Sequence, residues 1–99
     1  MPAKQQKTLE TKKTEQLLRK HFARVDAYRY NPASIRVRII DPSFSGRAKE
    51  DREGLVLPLI RSLPEEIQAD IVVLLMLAPG EEPRSLMNME FESPSPSLL

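Results

Sequence analysis

Eight consecutive apolar residues, Ile71-Val72-Val73-Leu74-Leu75-Met76-Leu77-Ala78, set the tightest limit on how this chain folds. The run is rich in branched side chains and shows no alternation with polar residues. That is the pattern of a strand covered on both faces, as parallel strands in α/β proteins are. It is much too short for a membrane-spanning helix, which needs about 20 apolar residues. Pro79-Gly80 ends it, because Pro cannot donate to a strand ladder and Gly accepts the turn. A strand of this kind needs helices, and a neighbouring strand parallel to it, from the rest of the chain.

Those partners are legible upstream. Leu17, Leu18, His21, Phe22 and Val25 recur at helical spacing, which predicts a helix from about Thr11 to Ala23. Val25 to Tyr30 reads as a first strand, with Tyr28 and Tyr30 on one face and Ala27 and Arg29 on the other. Asn31-Pro32-Ala33-Ser34 is turn chemistry. Ile35 to Ile40 alternates cleanly, with Ile35, Val37 and Ile39 opposite Arg36 and Arg38. Asp41-Pro42 stops it. A second helix is expected from Ala48 to Leu63, burying Leu55, Val56, Leu59, Ile60 and Leu63. Pro58 faces solvent there and clashes with the carbonyl of Gly54, so a kink is expected. Pro64 opens a short turn through Ile67, with Glu65 and Glu66 at its positive end.

The expected fold class is therefore α/β (α+β): one small domain in the order α-β-β-α-β, with a three-stranded mixed sheet packed against helices. A length of 99 residues allows one such core. Residues 1–10 read as a disordered basic N-terminus, 11–80 as the domain, and 81–99 as an acidic tail. Within the tail, Met87, Met89 and Phe91 alternate with Asn88, Glu90 and Glu92, which predicts a short extended segment over 86–91 followed by a disordered Ser-Pro end. If the last strand is apolar on both faces, that segment or a second subunit must cover the face the helices leave open. A folded-back tail or a homodimer follows.

Charge is unevenly spread. Residues 1–24 carry seven basic and two acidic side chains, whereas residues 81–99 carry one and four. A basic head attracts polyanions or is simply a solvated helix. There are no cysteines, which removes disulfides, thiolate metal sites and a cysteine nucleophile. His21 is the only histidine, expected as a partly buried structural residue. Carboxylates sit in helical charge runs, and Asp41 and Asp70 bound strands, where they cap the ends or meet at the sheet edge. No Gly-rich phosphate loop or KH-type Gly-x-x-Gly clamp is present. The chain reads as a cytoplasmic non-enzyme without a cofactor, a metal or a membrane segment. Tyr28, Tyr30, Arg36 and Arg38 form a candidate surface that stacks bases, pairs phosphates or pairs with tail carboxylates. Asp70, Met87, Met89 and Phe91 are added as candidate contact residues.

From Ser34 onward the chain resembles the BolA-like family. The residues that carry this are Ile35-Arg36-Val37-Arg38-Ile39-Ile40, then Phe44-x-Gly46, Arg52 and Val56, the long apolar strand, and Pro79-Gly80-Glu81. The resemblance covers roughly residues 12–82 and implies a type II KH-like fold. It also implies partnership with monothiol glutaredoxins and an accessory role with iron–sulfur clusters, through a histidine on the last strand. The matching position in this chain is Asp70, and the family's Arg-His pair reads Arg52-Glu53. A carboxylate is a harder ligand than imidazole. The leading expectation is a non-enzymatic interaction or adaptor module with a protein partner or as a homodimer. The alternatives are a nucleic-acid-binding module and an iron–sulfur accessory protein with altered ligands.

Overall fold

The computed structural model of the protein describes residues 5–98. The elements run α1 (Leu9–Arg19), β1 (Arg24–Asn31), β2 (Ser34–Ile40), α2 (Lys49–Ile60), α3 (Glu65–Asp70), β3 (Ile71–Leu77) and α4 (Leu86–Glu92). Short 3-10 turns lie at Pro42–Phe44 and Glu82–Arg84. The strands form a single mixed sheet in the order β1-β2-β3, with β2 antiparallel to β1 and parallel to β3. The α-β-β-α-β order and the mixed three-stranded sheet are those expected from the sequence.

Alternation along the hairpin sorts the side chains into two faces. Val25, Ala27, Ile35, Val37 and Ile39 turn one way and close the core with Leu18 of α1, Phe44, and Val56 and Ile60 of α2. Burying an aliphatic or aromatic side chain of this kind contributes ~1.5–3 kcal/mol. Tyr28, Arg36 and Arg38 turn the other way, and α4 lies across them.

Helix α1 differs from its expected span because a cap decides where it starts. Thr8 and Thr11 form a reciprocal pair. The Thr8 N–H donates to Thr11 Oγ1 at 2.8 Å, and the Thr11 N–H donates to Thr8 Oγ1 at 3.4 Å. Each satisfies a backbone donor that the first helical turn leaves free. The helix ends at Arg19, so His21 falls beyond it and is exposed rather than partly buried. Its buried face is Thr11, Thr14, Glu15 and Leu18, more polar than the expected stripe. Glu15 earns that position by accepting from the Ala27 N–H at 2.9 Å and from Lys7 Nζ at 2.7 Å.

Four further expectations change. Leu55 faces solvent on α2, and that helix ends at Ile60, two residues after Pro58, instead of continuing to Leu63. Strand β3 is not covered along its whole length. It is an edge strand with a buried second half, Met76 and Leu77, and an exposed Val72. Residues 5–8 are ordered: Gln6 bridges Arg29 on the outer edge of β1, and Lys7 Nζ reaches Ala27 O at 2.6 Å. Residues 1–4 of the expected disordered segment lie outside the described residues.

The acidic tail is the last correction. Residues 86–91 are helical, not extended. Ser85 caps α4 by accepting from the Asn88 N–H at 3.1 Å, and a helix places Asn88, Phe91 and Glu92 on one side, as their i, i+3, i+4 spacing requires. Alternation of period 2 reads the same residues as a strand, and over so short a segment the two patterns are hard to separate. The Ser-Pro stretch beyond it is ordered too. Pro94 is buried, Tyr30 Oη donates to Ser95 O, and Asn31 Nδ2 donates to Ser97 Oγ at 3.1 Å.

Candidate functional site

The structure brings Tyr28, Tyr30, Arg36 and Arg38 together on one sheet face and then covers them with the chain's own tail. Arg38 is only 3% exposed. Its guanidinium bonds Asp26 Oδ2 at 2.8 Å, Asn88 Oδ1 at 2.8 Å and the Glu92 carboxylate, and it lies over the Phe91 ring at 4.6 Å. Arg36 bonds Glu90 Oε2 at 2.6 Å and stacks on the Tyr30 ring at 3.6 Å. Tyr28 Oη donates to Phe91 O at 2.8 Å, and its ring packs on the Phe91 ring. Of the outcomes open to this Arg/Tyr face, pairing with tail carboxylates is the one observed.

The electrostatics follow from these contacts. Burial works against the charged form of Asp26, but the hydrogen bond and charge of Arg38, with Arg24 and Lys7 nearby, outweigh it and hold the carboxyl below its usual range. The Arg36 hydrogen bond, helped by Ser95, holds Glu90 low as well. Burial pushes the Tyr28 phenol up. Nε of Arg36 and Nε of Arg38 are buried without a hydrogen-bond partner, so the tail satisfies most but not all of these donors.

The remaining candidates separate. Met87 and Met89 sit on α4 with exposed side chains, while Phe91 is buried. Asp70 does not join this face. It ends α3 and pairs with Arg29 at 2.9 Å, and Arg29 also holds Glu10 at 3.2 Å. Asp41 lies at the opposite end of the sheet, where it accepts from the Ala23 N–H at 2.7 Å and the Ser43 N–H at 2.9 Å. The two carboxylates therefore do not meet. Among the described residues there is no group of three or more His, Asp or Glu side chains placed to hold a metal ion. No helix of the described residues is long and apolar enough to cross a membrane.

Three of the residues that carry the sequence resemblance form a structural joint. Arg52 of α2 grips both carboxylate oxygens of Glu81, donates to Met76 O at 2.9 Å and to Arg47 O at 3.0 Å, and lies near the Phe44 ring. Glu81 in turn accepts from the Ala78 N–H at 2.8 Å, and Gly80 makes the turn between them at φ 92°.

A second surface was not singled out from the sequence. Alongside β3 runs an open groove of about 600 Å³, lined by Val72 to Met76, by Arg47, Lys49 and Arg52 at the start of α2, and by Met87 of α4. The signal in the sequence was the apolar run itself. Reading it as covered on both faces hid the fact that a third strand in a three-stranded sheet has a free edge.

No family model matches this sequence, and neither the curated proteins nor the solved structures yield a significant match.

Proposed function

We propose that this chain is a non-enzymatic protein-interaction module, of the adaptor kind that the BolA-like resemblance implies. The observation that carries this reading is the apolar edge of β3, which leaves Val72 61% exposed beside the groove at Met87. Apolar side chains on an edge strand with unpaired backbone groups are a template for another chain. The element order and the meeting of Phe44, Arg52 and Glu81 support the resemblance. Nucleic-acid binding is less favoured, because Arg36 and Arg38, its best residues, are engaged by Glu90, Glu92 and Asp26.

The test is affinity purification of the full chain, followed by reconstitution of the captured complex from purified components. Gel shifts with single-stranded RNA and DNA at low and moderate salt run in parallel. A stoichiometric protein complex without salt-dependent nucleic-acid binding is expected. Failure to reconstitute any protein complex, with salt-dependent binding of RNA or DNA at micromolar protein, would overturn the reading.

A further inference from the structure

The free edge of β3 carries the argument one step further, to the kind of partner it fits. The Asp41 N–H donates to Leu77 O at 3.0 Å, so Leu77 turns its backbone groups toward β2. Backbone direction alternates along a strand, which turns Leu74 and Met76 outward. Arg52 Nη1 takes the Met76 carbonyl at 2.9 Å, in agreement with that direction. Leu74 N–H, Leu74 C=O and Met76 N–H then face the groove, on the side of β3 where no further strand of the described residues pairs.

The walls of the groove differ. On the α2 side stand Arg47 and Lys49, both exposed. On the α4 side stands the Met87 side chain, beside Val73 and Leu75. Among the described residues no carboxylate lines this groove; Arg61 lines its continuation toward Ile71, and the carboxylate beyond Met87, Glu90, is held by Arg36. A strand laid along β3 points alternate side chains at the two walls. One set meets cations and the other meets apolar surface.

We infer that this edge binds an extended peptide of alternating acidic and apolar residues, which adds to the sheet as a fourth strand. This rests on the interaction-module reading and names its partner class. A second copy of the chain fits less well. Antiparallel pairing of two β3 edges brings Arg47 and Lys49 of one copy toward Arg61 of the other, like charge against like. Val72 also has no partner in the β2 register, where the pairing slips between Ile35 and Arg36. A bulge of that kind twists an edge away from self-association.

The probe is a peptide of about seven residues alternating Val and Glu, matched to the length of β3. Two controls accompany it: the same peptide with Lys for Glu, and one N-methylated on alternate amides so that one of its edges cannot donate. With the full chain, the Glu peptide is expected to shift the Leu74 and Met76 amides and slow their hydrogen exchange. The N-methylated peptide, in the frame that blocks pairing, should bind about tenfold more weakly. The exposed double variant R47E/K49E should lose about fivefold for the Glu peptide and prefer the Lys peptide. Equal binding of the Glu and Lys peptides, shifts confined to another surface, or a concentration-dependent dimer protecting the same amides would each overturn the proposal. Displacement of the peptide by an RNA oligonucleotide would do the same. If R47E/K49E binds the partner of the reconstituted complex with unchanged affinity, this site is wrong while the module reading stands. If no protein complex forms at all, the module reading itself fails.

Discussion

Arg52 and Glu81 lie 29 residues apart in sequence and meet through two parallel hydrogen bonds, of 2.7 and 2.9 Å. The pair ties the start of α2 to the turn that leaves β3, and the free edge runs directly beside it. A fork-to-fork arginine–carboxylate pair fixes geometry as well as adding energy.

Glu81→Gln keeps the shape and removes the charge. The hydrogen bond from Arg52, with the Ala78 N–H, lowers the Glu81 carboxyl from 4.5 to about 2. A carboxyl depressed in the folded state stabilises the fold fully above its unfolded value. That contribution is lost as pH falls from about 4.5 through about 2. The side chain is partly solvated, so the loss in Glu81→Gln at neutral pH should be modest, about 1 kcal/mol. Chemical denaturation across pH 2–7 checks this. The gap between parent and variant should narrow steadily toward the acid end, and a gap independent of pH would contradict the assignment.

Gly54 gives a prediction of opposite sign. It lies within α2, its φ is not in the left-handed region, and a Cβ added there meets nothing within 4 Å. Gly54→Ala should therefore stabilise the protein by about 0.5–1 kcal/mol, mainly by restricting the unfolded chain. In a domain of this size that raises the midpoint of thermal unfolding by about 2–8 °C. Calorimetry of the two proteins decides the matter, and an unchanged or lowered midpoint would show that the flexibility of Gly54 near Pro58 is needed.

The hairpin was the most legible part of the sequence. The opposition of Ile35, Val37 and Ile39 to Arg36 and Arg38 sorts the two faces correctly, because period-2 alternation is a direct consequence of the pleat. The β3 run identified a strand but not its place in the sheet, since position depends on how many strands lie beyond it. Glu15 on the buried face of α1 defeated the apolar-stripe reading, because its partners, Lys7 and the Ala27 N–H, come from other segments. The same holds at the candidate site. Pairing of Arg36 and Arg38 with tail carboxylates is one of several outcomes the sequence leaves open, and no local pattern selects it, because Glu90 and Glu92 lie more than 50 residues away in sequence.

Arg38 separates a buried charge from a buried shape. Arg38→Ala leaves Glu92 without its cation and Asp26 with Arg24 alone, and opens space under Phe91. Removing one partner of a buried ion pair costs about 3 kcal/mol, somewhat less where the carboxylates keep solvent access. Arg38→Met with Asp26→Asn retains volume and removes the charge of the less exposed carboxylate, leaving Glu92 to solvent, and should recover at least about half of that loss. Urea denaturation of the three proteins tests the pair. Equal stability of the single and double variants would mean that charge is not what holds this face.

Acid should loosen α4 before it unfolds the core. Asp26 and Glu90 both sit below their ordinary values of 3.8 and 4.5, and each is depressed in the folded state. The stabilisation they give is therefore present in full above those ordinary values and is lost as pH falls through the lower folded ones. The core beneath α1 and α2 is mainly apolar, and the acid-sensitive pair on that side, Arg52–Glu81, lies at its rim. Amide exchange followed from neutral pH downward should show protection at Phe91 and Glu92 falling first, while Val37 and Ile39 stay protected. Truncation after Pro83 should reproduce the loosened state at neutral pH, exposing Tyr28 and lowering stability by about 3 kcal/mol through loss of the Phe91 contact alone. A truncated chain that remains a soluble monomer of unchanged stability would show that the tail rests on this face without supporting it.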